Sequence, residues 1–501
     1  MPVAQGTCPA CGAPIQFGLG SSVAKICEFC RATVLRTDRG LQNFGRVAEI
    51  ADTPSLIAVG DQGTLAGRPF EVLGRVQLDH GAGPWDEYYV AFDNGQNWGW
   101  LAYAQGRWHV TNLTSGIPAP ARADLRIEGD IALGPLGVFR VAENRSATIR
   151  SAEGELPGAF PPGFVRFYAD CYGPNGQFLT LDYGDGSQPA TVFAGYVFAE
   201  PQLVVTQLGP RSINKVQTTH LKCPGCGGEV PKLGGDRAER LGCPYCGAIS
   251  DIAERKVISQ QERLLEAPAI PIGSRGKFDN VEYICLAYVR RSSVFDGEQY
   301  SWEEFLLFAP AAGYRWLVDD PETGWFWAQA ISPADVDLSG YPERVKYLGQ
   351  TYQERNSNVA TVDYVLGEVY WKCAAGETVE VTDFAHAKSV LSRELSPDEV
   401  NWTYSAPIQW PSIAAGFGLD PKRAGKGTNG KTGKYVGLVI FLLLLLLVCC
   451  IIGALASDDT SSNSSGSGTG TNSGTPGGII ILPSNRSSSG YRGGGVYSGG
   501  K

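Results

Sequence analysis

Trp85-Asp86-Glu87-Tyr88-Tyr89 and Trp302-Glu303-Glu304-Phe305-Leu306 are two versions of one segment, and the 501-residue chain repeats itself on both sides of them. Upstream, Gly63–Val76 (GTLAGRPFEVLGRV) matches Gly276–Val289 (GKFDNVEYICLAYV). Downstream, Trp98-Gly99-Trp100-Leu101 matches Tyr314-Arg315-Trp316-Leu317, and Phe139–Ile149 (FRVAENRSATI) matches Tyr352–Val362 (YQERNSNVATV). Gly154-Glu155-Leu156 then matches Gly367-Glu368-Val369, and residues 163–170 match 376–383. Within each copy the apolar runs are short, aromatic and β-branched, as in Glu87–Phe92, Phe164–Tyr168 and Phe178–Tyr183. Turn signals such as Asp93-Asn94-Gly95, Gly173-Pro174-Asn175-Gly176 and Asp185-Gly186 punctuate them. Strands of about five residues at intervals of about 8–12 predict a mainly β protein, with an antiparallel β sandwich or open barrel in each copy. Only 260–266 and 333–338 carry a weak helical pattern.

A cysteine motif precedes each copy. Cys8, Cys11, Cys27 and Cys30 form one set, and Cys223, Cys226, Cys243 and Cys246 the other. Two C-x2-C pairs at this separation predict a zinc ribbon, and hence two structural zinc ions. Four thiolate ligands close the coordination sphere, so no position is left for a substrate water. Gly12, Gly227 and Gly247 follow the second cysteine of a pair and suit a left-handed turn, whereas Arg31 holds that place after Cys30. The motifs begin 215 residues apart (Cys8 to Cys223), so whole modules are duplicated; a solenoid would repeat every 20–50 residues or so.

Tyr435–Ala456 (YVGLVIFLLLLLLVCCIIGALA) contains no charged residue and is long enough to cross a bilayer core of ~30 Å as a helix. Lys422, Arg423, Lys426, Lys431 and Lys434 precede it, and Asp458 and Asp459 follow. Basic residues concentrate on the cytoplasmic side of a span. The expectation is therefore a single-pass protein of the inner membrane, its N-terminal bulk cytoplasmic and its tail outside. Reduced, metal-binding cysteines agree with that side. The expected organisation is ribbon 1 at 1–40, β module 1 at 55–208, ribbon 2 at 218–254 and β module 2 at 268–412. A basic linker at 413–434, a transmembrane helix at 435–456 and a disordered Gly/Ser-rich tail at 457–501 follow.

A net charge of −9 and a pI near 5.2 argue against broad nucleic-acid binding, which needs basic surface. The first 20 residues lack the features of a signal peptide. Gly425–Thr432 fits the phosphate-loop spacing but lacks the preceding strand and following soluble helix, so no nucleotide site is assigned. No nucleophile motif or histidine-based metal motif is present, and no catalytic residue is predicted. The candidate ligand or partner surface is Trp85, Glu87 and Trp100 in the first copy with Trp302, Glu304 and Trp316 in the second. These tryptophans serve either as core or as a groove for a peptide, sugar or cation. Neighbours on a strand face opposite ways, so Asp86/Glu87 and Glu303/Glu304 cannot act as pairs. A lone member could still meet Glu155 or Glu368 of its own copy.

The W-[DE]-E-[YF] element, the later W-L and the stretch ending in G-E resemble a bacterial domain family numbered 4178 among domains of unknown function. The resemblance covers about 55–200 and 268–412 and implies a shared fold without an assigned reaction. The second copy has Lys372-Cys373-Ala374-Ala375 where the first has Pro161-Pro162. The leading expectation is a membrane-tethered scaffold with protein partners at the bilayer. The alternative is a small-ligand-binding or sensory module using the Trp/carboxylate clusters, and an enzyme using those carboxylates is the third.

Overall fold

The computed structural model describes residues 5–17, 22–37, 40–46, 55–81, 84–104, 106–209, 220–262, 266–295 and 298–422. The expected transmembrane helix, the tail and all but the start of the basic linker lie outside these residues. Among the described residues, no helix is long and apolar enough to cross a membrane.

In each copy eight antiparallel strands close on themselves, where an open barrel or sandwich was expected. In the first, the ring runs Arg68–Asp79, Pro84–Phe92, Asn97–Ala104, Arg107–Leu113, Thr191–Ala199, Gln177–Gly184, Val165–Tyr172 and Val138–Leu156, and returns to Arg68–Asp79. In the second, it runs Val281–Phe295, Glu298–Ala309, Gly313–Asp320, Gly324–Ile331, Glu399–Pro407, Ser389–Ser396, Thr378–His386 and Gln350–Val369. The long strands Val138–Leu156 and Gln350–Val369 make closure possible. Val138–Leu156 gives residues 140–148 to one neighbour and 148–154 to the other, with register shifts at Val141/Glu143 and Ile149/Ser151. That stagger and the bends at bulges are what a closing sheet requires.

Alternation along the strands sorts residues into barrel interior and exterior. Inside the first barrel lie Val76, Leu78, Trp85, Tyr89, Trp100, Ala147, Ile149, Tyr168 and Phe193, contributed by strands from all around the ring. Its outer faces are covered by the segments around Ile57 and Leu125. In the second barrel the outer face is covered by a helix, Trp410–Phe417, that the sequence reading had divided between module and linker. Its buried Ile413, Ala414 and Phe417 pack over Gly276, where a Cβ would meet the Phe417 ring at 2.7 Å.

Both ribbons have the same build: a hairpin (Gln5–Thr7 with Pro14–Gln16, His220–Lys222 with Glu229–Pro231) and a three-stranded sheet. The sheets are Ala24–Ile26, Ala32–Thr37 and Gly40–Arg46 in one, and Arg240–Gly242, Ala248–Asp251 and Lys256–Gln260 in the other. Their last strands run past the expected limits at 40 and 254. Each ribbon adds a strand to the far end of its barrel's long strand. Lys25 pairs with Glu155, and Leu241 with Glu368. Lys25 stands two residues before Cys27 and Leu241 two before Cys243, so the register is identical. Ala24 and Ile26 thereby join the interior cluster of the first barrel, and Ile249 that of the second.

Candidate metal centres and barrel sites

The four turns that carry the cysteines are alike because each places a left-handed residue just after its second cysteine. Gly12, Gly227 and Gly247 have φ of 78°, 74° and 75°, and Arg31 follows at 59°. Their amides close the turns onto the carbonyls of Cys8, Cys223, Cys243 and Cys27 at 2.8–3.1 Å. The eight thiols converge as two groups, Cys8/Cys11/Cys27/Cys30 and Cys223/Cys226/Cys243/Cys246, with all sulfurs of a group within 4.8 Å of one another. Each group can hold one metal ion. Burial, with the neighbouring Cys223 and Cys246 thiols, pushes Cys243 up to about 12, while, against its burial, backbone N–H groups of its own turn bring Cys223 down. Cys171, Cys285 and Cys373 are buried elsewhere, in apolar clusters.

The tryptophan–carboxylate elements lie inside the barrels. Trp85 donates its indole N–H to Glu87 Oε1 at 3.2 Å, and Trp302 donates to Glu304 Oε1 at 2.7 Å. Trp85, Trp100 and Trp316 are buried, and Trp302 packs partly buried against the same interior. Asp86 faces outward to Arg75 and Gln77 at 3.2 Å, away from Glu87. Glu155 and Glu368 do not join this interior group. Glu155 meets Lys25 at 3.4 Å, and Glu368 accepts the amides of Leu233 and Gly234, so both serve ribbon docking.

Two further acids repeat inside both barrels, and sequence reading missed them. Thr180 donates to Asp170 at 2.7 Å and Ser392 to Asp383 at 2.6 Å. Two residues further along the same strands, Asp182 takes Arg166 at 2.5 Å and Glu394 takes Arg291 at 2.7 Å. The two arginines are not equivalent. Arg166 aligns with Val379, and Arg291 with Leu78, so the guanidinium comes from a different strand in each copy yet meets the matching acid. Burial, together with Asp170 and Asp182, holds Glu87 well above the usual carboxylate range, against the pull of Trp85 and Arg166.

The shared interior geometry and the shared ribbon register make the halves two copies of one domain. A family model described as a domain of unknown function (DUF4178) matches residues 58–197 and 271–409. The chain belongs to the DUF4178 family. No curated protein and no solved structure matches it.

The two DUF4178 domains meet end to side. Glu143 of the first long strand pairs with Glu399, and Asn144 donates its amide to the Asp398 carbonyl at 2.9 Å. Arg145 reaches Asp398 at 2.7 Å and Glu399 at 3.0 Å. Glu128 accepts from Arg393 Nε at 2.7 Å and from Trp402 Nε1 at 2.9 Å. Beside this junction lies a cavity of about 470 Å³ lined by both domains. Tyr172, Tyr314, Trp316, Tyr370 and Trp402 contribute aromatic walls, and His109, Glu143, Asp170, Glu399 and Asn401 polar ones. Glu143 accepts from Tyr168 at 2.9 Å through Oε1, while its Oε2 makes no hydrogen bond among the described residues. His109 Nε2 stands 3.4 Å from the Tyr172 hydroxyl, and its Nδ1 likewise makes none. Burial pushes Glu143 up to about 7 and Glu399 up to about 8, both opposed by Arg145. Burial pushes His109 down to about 3, so its ring is neutral.

Proposed function

We propose that this protein is a non-enzymatic interaction scaffold, held at the cytoplasmic face of the inner membrane by its apolar C-terminal run. The observation that carries this reading is a matched pair of exposed aromatics. Phe29 lies between Cys27 and Cys30, and Tyr245 between Cys243 and Cys246; they are 71% and 52% exposed. Tyr245 lies along its own hairpin, its hydroxyl donating to the Glu229 carbonyl at 3.1 Å, and still presents a face of its ring beside the knuckle. Exposed aromatics on two rigid knuckles suit contact with a protein partner, since aromatic anchors dominate such interfaces. The interior carboxylates support the same reading. Glu87 and Glu304 are each tied to a tryptophan inside a barrel and do not converge on a cleft.

The metal in each ribbon is proposed to be zinc, since four thiolates in paired knuckles suit a tetrahedral structural ion. The basic residues from Lys422 to Lys434 would rest against anionic lipid, at about 1 kcal/mol for each one near the surface.

The test is affinity purification of the full chain from membranes, with Phe29→Ala/Tyr245→Ala alongside. The proposal expects specific protein partners that are lost in the double variant while bound zinc stays at two ions. Equal recovery with both forms would overturn it. Protease added to intact cells should leave the ribbons uncut, and their digestion would overturn the orientation.

A further inference from the structure

We propose that the second ribbon is a metal-dependent clamp between the two DUF4178 domains: an ion held by Cys223, Cys226, Cys243 and Cys246 fixes a loop, residues 232–239, that ties the first domain to the second. This rests on metal occupancy of that cysteine group and not on the scaffold reading.

The loop touches both domains. On the second, the amides of Leu233 and Gly234 donate to the Glu368 carboxylate, and the Glu239 amide donates to the Val369 carbonyl at 2.8 Å. On the first, Arg237 makes a two-point ion pair with Glu200, Nε to Oε2 at 2.9 Å and Nη2 to Oε1 at 2.5 Å. Tyr103, also of the first domain, donates its hydroxyl to Glu200, and the Arg237 guanidinium lies over the Phe308 ring of the second domain at 4.8 Å. Glu200 is buried, so this pair is shielded from water and fixed in geometry, unlike an exposed pair. A second tie comes from the turn between the last two strands of the same ribbon, where Glu254 meets Arg150 of the first domain at 2.9 Å.

The metal matters because of where the loop is strung. Cys226 stands before it and Cys243 after it, so one ion on the four thiolates pins both of its ends. The ribbon has little else to hold it in shape. The buried members of its apolar cluster are Cys223, Val230, Leu241, Cys243 and Ala248, and two of these five are metal ligands. A ribbon with so small a core takes much of its folding free energy from the ion. Without the ion, Arg237 loses the fixed place that a two-point pair requires. Linkage makes the dependence mutual: Glu200, in the other domain, tightens metal binding at cysteines it does not touch. In the first copy the matching carboxylate, Glu155, is met at 3.4 Å by Lys25 of the docking strand itself. The two centres thus differ in role. The first caps the barrel on which it docks, and the second also joins the domains.

The test is zinc affinity of the full chain in detergent, measured by competition with a chromogenic chelator. Cys27→Ser leaves the second site alone, and Cys243→Ser leaves the first. In the Cys27→Ser chain, Glu200→Gln and Arg237→Gln are each expected to weaken zinc binding at least fivefold, and together no more than the stronger of the two. In the Cys243→Ser chain, Glu200→Gln is expected to change the affinity less than twofold, although Glu200 belongs to the domain that the first ribbon caps. A reciprocal measurement needs no change in the first domain. Amide exchange at Glu200–Leu203 is expected to be at least threefold faster in Cys243→Ser than in Cys27→Ser, and it decides the matter if Glu200→Gln fails to fold by circular dichroism. Unchanged affinity of the second site in folded Glu200→Gln, equal weakening at both sites, or equal exchange in the two serine variants overturns the clamp. A native chain that takes up no zinc overturns the zinc assignment and the clamp together, whereas two bound ions without this dependence overturn the clamp alone.

Discussion

Glu87 and Glu304 occupy the same place in the two barrels and accept the same indole hydrogen bond, yet replacing each by glutamine should have opposite effects. Glu304 lies 3.4 Å from the Arg291 guanidinium, which also holds Glu394 at 2.7 Å. Breaking a buried ion pair from one side costs about 3–5 kcal/mol when the remaining charge has no other partner. Arg291 keeps Glu394, and glutamine keeps an acceptor for Trp302, so Glu304→Gln should cost about 2 kcal/mol. Glu87 has Trp85 as its hydrogen-bond donor, faces Asp170 and Asp182, and shares Arg166 with the latter; burial holds its proton on. Glutamine mimics that protonated form. The folded-state pKa is raised, so this group's contribution is complete at low pH and is lost as pH rises above the unfolded carboxylate's range. Each unit of that rise costs the native protein roughly 1.4 kcal/mol until the folded group itself ionises. Glu87→Gln should therefore be near neutral at pH 5 and increasingly stabilising relative to the native protein as pH rises toward 7.5. Urea unfolding of the full chain at both pH values would measure this. Amide exchange in Pro84–Phe92 and Glu298–Ala309 would report which barrel opens. If Glu87→Gln destabilised as much as Glu304→Gln at both pH values, the assigned protonation would be wrong.

Other changes have equally definite outcomes. Arg31→Gly relieves a left-handed non-glycine residue and should stabilise the metal-loaded first ribbon by about 1 kcal/mol, read as slower metal loss to a chelator. Arg166→Val leaves Asp182 without its guanidinium and should cost about 3 kcal/mol. Adding Leu78→Arg, which copies the second barrel's arrangement, should recover at least half of that in urea unfolding. Glu128→Ala removes the partner of Arg393 and Trp402 and should cost about 2 kcal/mol, with exchange rising first in Glu399–Pro407. Cys243→Ser should reduce bound metal from two ions to one and raise exchange at Gly367–Val369, where the second ribbon docks.

Local signals in the chain were enough for the strands, the turns, the duplication and the two four-cysteine groups, because these depend on spacing within a few residues. Closure of the barrels was not legible, since it depends on how far two distant strands are staggered. The repeated interior acids were hidden for a different reason. Asp170/Asp383 are equivalent in an alignment, but the arginines meeting the next acid are not: Leu78 faces Arg291 and Arg166 faces Val379, which reads as two mismatches until the strands are wrapped into a ring. The helix Trp410–Phe417 did carry a signal, Pro411 in its first turn and Gly418 as a left-handed cap, but eight residues before a basic stretch resembled linker. The cavity had none. His109, Glu143 and Glu399 come from unmatched places in the two copies and share no motif.

The unit that was duplicated is larger than the family domain. The matched segments begin at residues 58 and 271, after each ribbon. Yet each ribbon strand meets its barrel in one register, with the residue two before the third cysteine opposite the glutamate of the G-E element. The glycine of that element explains why it recurs. Gly154 and Gly367 have φ of 74° and 87°, and a Cβ on either would lie 2.2 or 2.3 Å from a carbonyl oxygen of the adjacent strand. Only glycine lets the long strand turn tightly there and pass from pairing with its barrel to pairing with its ribbon. A ribbon attached after duplication would have had to find this register twice. A ribbon already paired to its barrel would carry it into both copies, and the same junction then explains why the ribbon's docking strand and the barrel interior share one buried apolar cluster in the first half, through Ala24 and Ile26.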